Sequence, residues 1–138
     1  MILIKTKRGE GLLAYLDSVG VWTIGVGHTG TVDGKPIAKG MTITPAQSNI
    51  LLLSDLAWVE SAINGNVKVP LKQNQYDALC SFVFNVGLTA FVNSTLLKKL
   101  NRKDYKGAAD QLLQWKRAGS IADLLLQRRK RERELFIT

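Results

Sequence analysis

The sequence predicts an α+β chain, a small strand-and-turn lobe leading into a larger helical lobe. Three observations carry this. Eight of the 12 glycines fall in the first 40 residues, with Val19, Val21, Trp22, Thr23, Ile24 and Val26 filling the gaps, a pattern of short strands joined by tight turns. After residue 43 the apolar spacing becomes helical. The 138 residues hold no internal repeat and no linker rich in Pro, Gly and Ser, so they form a single domain. Its β lobe spans about 12–43 and its helical lobe about 44–138.

In chain order, Asp33-Gly34 predicts a hairpin turn. Thr44-Pro45-Ala46-Gln47 predicts a helix start, with Thr44 as cap, Pro45 at the first helical position and Gln47 closing a capping box. That helix is expected to run to about Ile63 and stop at Asn64-Gly65. A second is expected from about Asn74 to Val86, ended by Gly87, with Ala78, Leu79, Phe82, Val83 and Val86 on one apolar stripe. Ser94 caps a short helix through Leu100, and Asp104 opens another through Trp115 that Gly119 breaks. A last helix is expected over roughly 121–136.

Composition narrows the function. Hydrophobic residues at 46% against 22% charged suit a packed domain, not a disordered chain. The longest apolar runs, such as Ile50–Leu53, fall far short of the roughly 18 residues that span a bilayer. Met1-Ile2-Leu3-Ile4-Lys5 is too short for the apolar region of a signal peptide. The expectation is therefore a chain without a membrane anchor that accumulates in the cytoplasm. One cysteine, Cys80, and one histidine, His28, exclude an internal disulfide, a Cys-His zinc cluster and a multi-histidine metal site. Neither metal nor cofactor is expected. With 19 basic and 11 acidic residues the net charge is +8, which calls for an anionic partner: nucleic acid, membrane surface or cell-wall polymer.

The segment from Glu10 to Thr29, Glu-Gly-Leu-Leu-Ala-Tyr-Leu-Asp-Ser-Val-Gly-Val-Trp-Thr-Ile-Gly-Val-Gly-His-Thr, strongly resembles the phage-type lysozymes, the endolysins of glycoside hydrolase family 24. Further matches follow in order: Thr42-Ile43-Thr44 with Gln47; Val69-Pro70-Leu71; Asn74-Gln75-Tyr76-Asp77-Ala78-Leu79; Ser81-Phe82-Val83-Phe84-Asn85-Val86-Gly87; Ser94-Thr95-Leu96-Leu97; Trp115; and Arg128-Arg129 with Glu132. The resemblance covers nearly the whole chain. It implies a two-lobed lysozyme-like fold and hydrolysis of the β-1,4 bond between N-acetylmuramic acid and N-acetylglucosamine in peptidoglycan. It also implies a monomer released to the wall through a separately supplied membrane lesion. Matched residue by residue, its catalytic set falls on Glu10, Asp17 and Thr23. The Asp–Thr spacing of six is the family's, whereas the Glu–Asp spacing of seven is two residues shorter than usual. One arginine of the pair Arg128 and Arg129 would lie beside the catalytic Glu and tune it; the resemblance does not say which. His28 and Asn85 would support the site or line the cleft.

Residue chemistry agrees. Glycoside cleavage needs a proton donor for the leaving oxygen and a second carboxylate. Before Asp55 the only carboxylates are Glu10, Asp17 and Asp33. Glu10 lies between glycines beside an apolar run, where partial burial favours the protonated acid. Asp17 lies at a turn, where it stays ionised, and the Thr23 hydroxyl can hold a water against it. Inversion, which the resemblance suggests, and retention both remain open on the residues alone. Taken singly, each residue has a blander reading: a loop carboxylate, a turn aspartate, a strand threonine. His28 reads as a structural histidine at a strand end and Cys80 as a small buried apolar group.

Two rival functions fit parts of the sequence. A catalytically impaired peptidoglycan-binding protein would follow from the short Glu–Asp segment. A basic nucleic-acid-binding module would follow from Arg128-Arg129-Lys130-Arg131 with Arg133, although no helix-turn-helix or RNP-type signature accompanies it. Nucleic acid is not the expected partner. The bland account of the basic run is a solvated helix face paired with Glu132 and Glu134.

Overall fold

The computed structural model describes residues 11–17, 20–117 and 123–138. Strands β1 (Gly11–Leu16), β2 (Trp22–Gly25) and β3 (His28–Thr29) form an antiparallel sheet in that order. Strands β4 (Thr31–Val32) and β5 (Lys35–Pro36) form a separate hairpin. Helices follow: α1 (Pro45–Asn66), α2 (Gln73–Val86), α3 (Leu88–Val92), α4 (Thr95–Asn101), α5 (Tyr105–Leu112) and α6 (Leu126–Ile137). The chain divides into two compact units, one ending at Ala57 and the other running from Trp58 to Thr138, with the boundary inside α1.

In the first unit, Ala14, Ile24, Ile37 and Ile43 form a small core with Leu12, Trp22, Val32, Met41 and Leu51 against it. The turn at Asp33-Gly34 has positive φ at both residues, 51° and 79°, the backbone that twists in step with its flanking strands. Glycine is required at Gly25, where φ is +64° and a Cβ would lie 3.0 Å from the Ser48 hydroxyl. Strand β1 meets β2 through the pairs Gly11–Gly25, Tyr15–Thr23 and Leu16–Trp22, with an irregularity between Gly11 and Tyr15. Inside that bulge the backbone turns to the segment before α1: Ala14 N–H donates to Met41 O and Ile43 N–H to Leu12 O.

The capping box at α1 forms as read: Gln47 N–H donates to Thr44 Oγ1, and Thr44 N–H to Gln47 Oε1. The helix does not stop at Asn64-Gly65 but runs to Asn66. Its late carbonyls find donors, as Asn66 Nδ2 donates to Ala62 O, Val67 N–H to Ile63 O and Asn101 Nδ2 to Asn66 O.

In the second unit α2 is central, with every residue from Ala78 to Val83 buried. Gly87, at φ 91°, ends it and donates to Val83 O. Helix α3 follows at once, five residues being too few for periodicity to reveal. Ser94 caps α4 through Leu97 N–H, and Asp104 caps α5 through Gly107 N–H. Helix α5 ends at Leu112, earlier than expected; residues 113–115 continue as i→i−3 turns, the last from Trp115 N–H to Leu112 O. Helix α6 starts at Leu126, after a turn in which Asp123 takes a left-handed conformation at φ 62°. Gly119 and Ile121, invoked at this junction, lie outside the described residues.

Candidate active site

Asp17 and Thr23 flank the turn joining β1 to β2, and one residue of that turn engages both. Val21 N–H donates to Asp17 Oδ1 at 2.8 Å, and the Thr23 hydroxyl donates to Val21 O at 2.9 Å. The turn is closed by Asp17 N–H to Val21 O at 3.0 Å and Gly20 N–H to Asp17 O at 3.1 Å. The spacing of six thus has a mechanical basis: the N–H of Val21 engages the carboxylate and its carbonyl engages the hydroxyl. Thr23 is buried, 3% exposed, and its oxygen keeps acceptor capacity because its proton is spent on Val21. Tyr15 lies opposite Thr23, and its phenol is raised by partial burial and then by the negative charge of Asp17. Glu10 lies outside the described residues.

His28 is fixed at both ring nitrogens. Nδ1 meets Asp55 Oδ2 at 2.9 Å and Nε2 meets Thr31 O at 2.8 Å. A ring whose two nitrogens both face oxygen acceptors is a brace, here joining the strand region to α1, and offers no nitrogen to a substrate. Asp55, its partner from 27 residues away, carries no signal in the sequence.

The remaining candidates belong to the second unit. Asn85 is exposed on the last turn of α2. Arg128 and Arg129 are adjacent on α6 with opposite environments. Arg128 is partly exposed, whereas Arg129 and Glu132 are wholly buried. Arg129 Nε lies 2.7 Å from Glu132 Oε1, and its Nη2 donates to Glu132 Oε2 at 3.2 Å. The Ser81 hydroxyl of α2 donates to the same carboxylate. The guanidinium lies 5.1 Å from the Phe82 ring centroid, and Phe82 meets Trp115 edge-on at 5.5 Å. Burial lowers Arg129 to about 10 against the pull of Glu132. Burial raises Glu132, with Arg129 and the Ser81 hydrogen bond opposing. The account of the basic run as a solvated face therefore fails at Arg129 and Glu132. The signal was present: Arg129, Glu132 and Phe136 fall at i, i+3 and i+7, one helical face. Arg133 is also engaged, its Nε and Nη2 donating to Asp110 Oδ1 at 3.0 and 2.8 Å.

Among the described residues no cluster of three or more His, Cys, Asp or Glu could hold a metal ion. No helix among them is long and apolar enough to cross a membrane.

The family model described as phage lysozyme matches residues 5–132. The chain is 58% identical to the endolysin of Salmonella phage P22, over 98% of this chain and 92% of that protein. It is 45% identical to the endolysin of Acyrthosiphon pisum secondary endosymbiont phage 1, over 99% and 93%. Among solved structures, a mutant of P22 lysozyme superposes with a TM-score of 0.79 at 57% identity, over 99% of this chain and 94% of that one. The muramidase domain of SpmX from Asticaccaulis excentricus superposes with a TM-score of 0.82 at 35% identity, over 99% and 93%.

Proposed function

The chain belongs to the phage lysozyme family, and from that premise we propose how its residues carry out the reaction. It is an endolysin, a glycoside hydrolase that cleaves the β-1,4 bond between N-acetylmuramic acid and N-acetylglucosamine in bacterial peptidoglycan and so lyses the wall. Glu10 gives its proton to the leaving oxygen as the glycosidic bond breaks. A water held between the Asp17 carboxylate and the Thr23 oxygen adds to the anomeric carbon and passes its proton to Asp17, with inversion. The observation that supports these roles is the shared engagement of Asp17 and Thr23 by Val21, which holds carboxylate and hydroxyl on either side of one residue. His28 supports the site by bracing the strands through Asp55. Asn85, exposed on the last turn of α2, contributes to substrate binding. Of the two arginines, Arg128 is the one that tunes the acid, because Arg129 is buried against Glu132.

In the same reading the protein is a monomer, binds no nucleic acid, and accumulates in the cytoplasm until a separate membrane lesion admits it to the wall. The whole chain forms one catalytic domain.

The test is clearing of purified peptidoglycan. Glu10→Gln keeps the shape and loses the transferable proton, so clearing falls by about 10²–10⁴-fold while the melting temperature stays within a few degrees. Asp17→Ala and Thr23→Ala both slow clearing, Asp17→Ala more severely. Near-parental activity of Glu10→Gln removes Glu10 from the acid role.

A further inference from the structure

In the helical unit, two adjoining hollows of 340 and 420 Å³ share Lys72, Gln75 and Tyr105. Neither includes a residue assigned above to catalysis. The floor is apolar: the Tyr105 ring, held by its hydroxyl donating to Pro70 O at 2.8 Å, and Phe136, 3% exposed. The rim is cationic: Lys72 before α2, Lys106 on α5 and Arg133 on α6. Lys72 and Lys106 are exposed, and among the described residues neither ammonium has an ion-pair partner. Arg133 is half neutralised and oriented by Asp110.

Each of the two wall amides has one group engaged within the protein. Asn74 Nδ2 donates to Leu135 O and Phe136 O, which also pins α6 to α2 and stiffens the wall, and Gln75 Oε1 accepts from Lys72 N–H. An apolar floor with a cationic rim suits a ligand of small alkyl groups and free carboxylates. It does not suit a neutral glycan.

We propose that this hollow binds the peptide stems of peptidoglycan, seating their alkyl side chains on the Tyr105 ring and their carboxylates at Lys72 and Lys106. The proposal rests on the reading that the chain acts on peptidoglycan. The hollow recruits the polymer without taking part in the bond cleavage.

The experiment uses the full chain, with co-sedimentation on purified sacculi free of phosphate polymers at about 50 mM salt. One variant carries Lys72→Gln and Lys106→Gln. A control with the same charge change carries Lys98→Gln and Arg102→Gln, exposed positions outside the hollow. Each is also tested on sacculi stripped of stems by an amidase. Stripping leaves the lactyl carboxylate on every muramic acid, so the glycan stays anionic. Matched melting temperatures establish that both variants are folded. The Lys72/Lys106 variant is expected to bind intact sacculi about threefold to tenfold more weakly than the control, and stripped sacculi equally well. Release of reducing ends is expected to show a raised half-saturation and an unchanged maximal rate. Equal loss in both variants, or the same selective loss on stripped glycan, overturns the proposal in favour of general charge or of glycan binding. No loss in either variant overturns it as well. Failure of the parent to release any reducing ends sinks the muramidase reading instead, while the binding comparison still decides the hollow.

Discussion

At Asp17 the carboxylate has two tasks, accepting from Val21 N–H and carrying charge. Asparagine keeps the acceptor and loses the charge. Asp17→Asn is therefore expected to retain the parental melting temperature and lose most wall clearing, which thermal unfolding and turbidity together check. The arginines separate just as cleanly. Arg128→Gln is expected to change the pH profile of clearing with little effect on stability. Arg129→Met strands Glu132 in the core and is expected to cost about 3–5 kcal/mol in urea unfolding, whereas Arg129→Met with Glu132→Leu recovers most of that loss. Cys80 is a third case. Burial, then Asp77 and Glu60, push its thiol up to about 12 from 9, so the native protein is expected to resist iodoacetamide at pH 8 and to react once unfolded. Between pH 9 and 12 the unfolded thiol has released its proton and the folded one has not. Its contribution to stability is present below pH 9 and lost as pH rises through that window, a slope that Cys80→Ala should flatten.

Among the elements, capping residues were legible because their chemistry is local. Thr44 with Gln47, Ser94 and Asp104 each satisfy backbone donors within three residues, and each cap is observed. Thr44→Ala is expected to cost about 1 kcal/mol, read by denaturant unfolding. Helix ends were less legible because the decisive groups are conformational or distant. Gly65 stays helical when the carbonyls of Ala62 and Ile63 before it find donors beyond it, and Asp123 takes positive φ ahead of α6. The Arg129–Glu132–Ser81 cluster joins α6 to α2 across 51 residues of sequence. Only its spacing on α6 was visible beforehand, and its acceptor on α2 was not.

For the whole molecule, a charge of +8 draws it to an anionic wall. Clearing is expected to fall as salt rises over roughly 0.05–0.5 M, as the Debye length shrinks from about 14 Å to about 4 Å. Lys130 and Arg131 are exposed, and neutralising both should blunt the salt dependence without altering the pH optimum, measured by turbidity across a salt series.

The sequence by itself determined the α+β class, the Asp33-Gly34 turn and the main helices, because turns, caps and periodicity act over a few residues, and its motifs in register carried the resemblance to the family and the candidate carboxylates. It also carried the spacing of six between Asp17 and Thr23. Tertiary structure alone decided that Val21 ties those two together and that His28 is spent on Asp55 and Thr31. It likewise decided that one of two adjacent arginines is buried against a carboxylate while the other is partly exposed. Each of those outcomes depends on where a backbone group or a distant side chain arrives after folding, and on the cost of burying a charge without its partner.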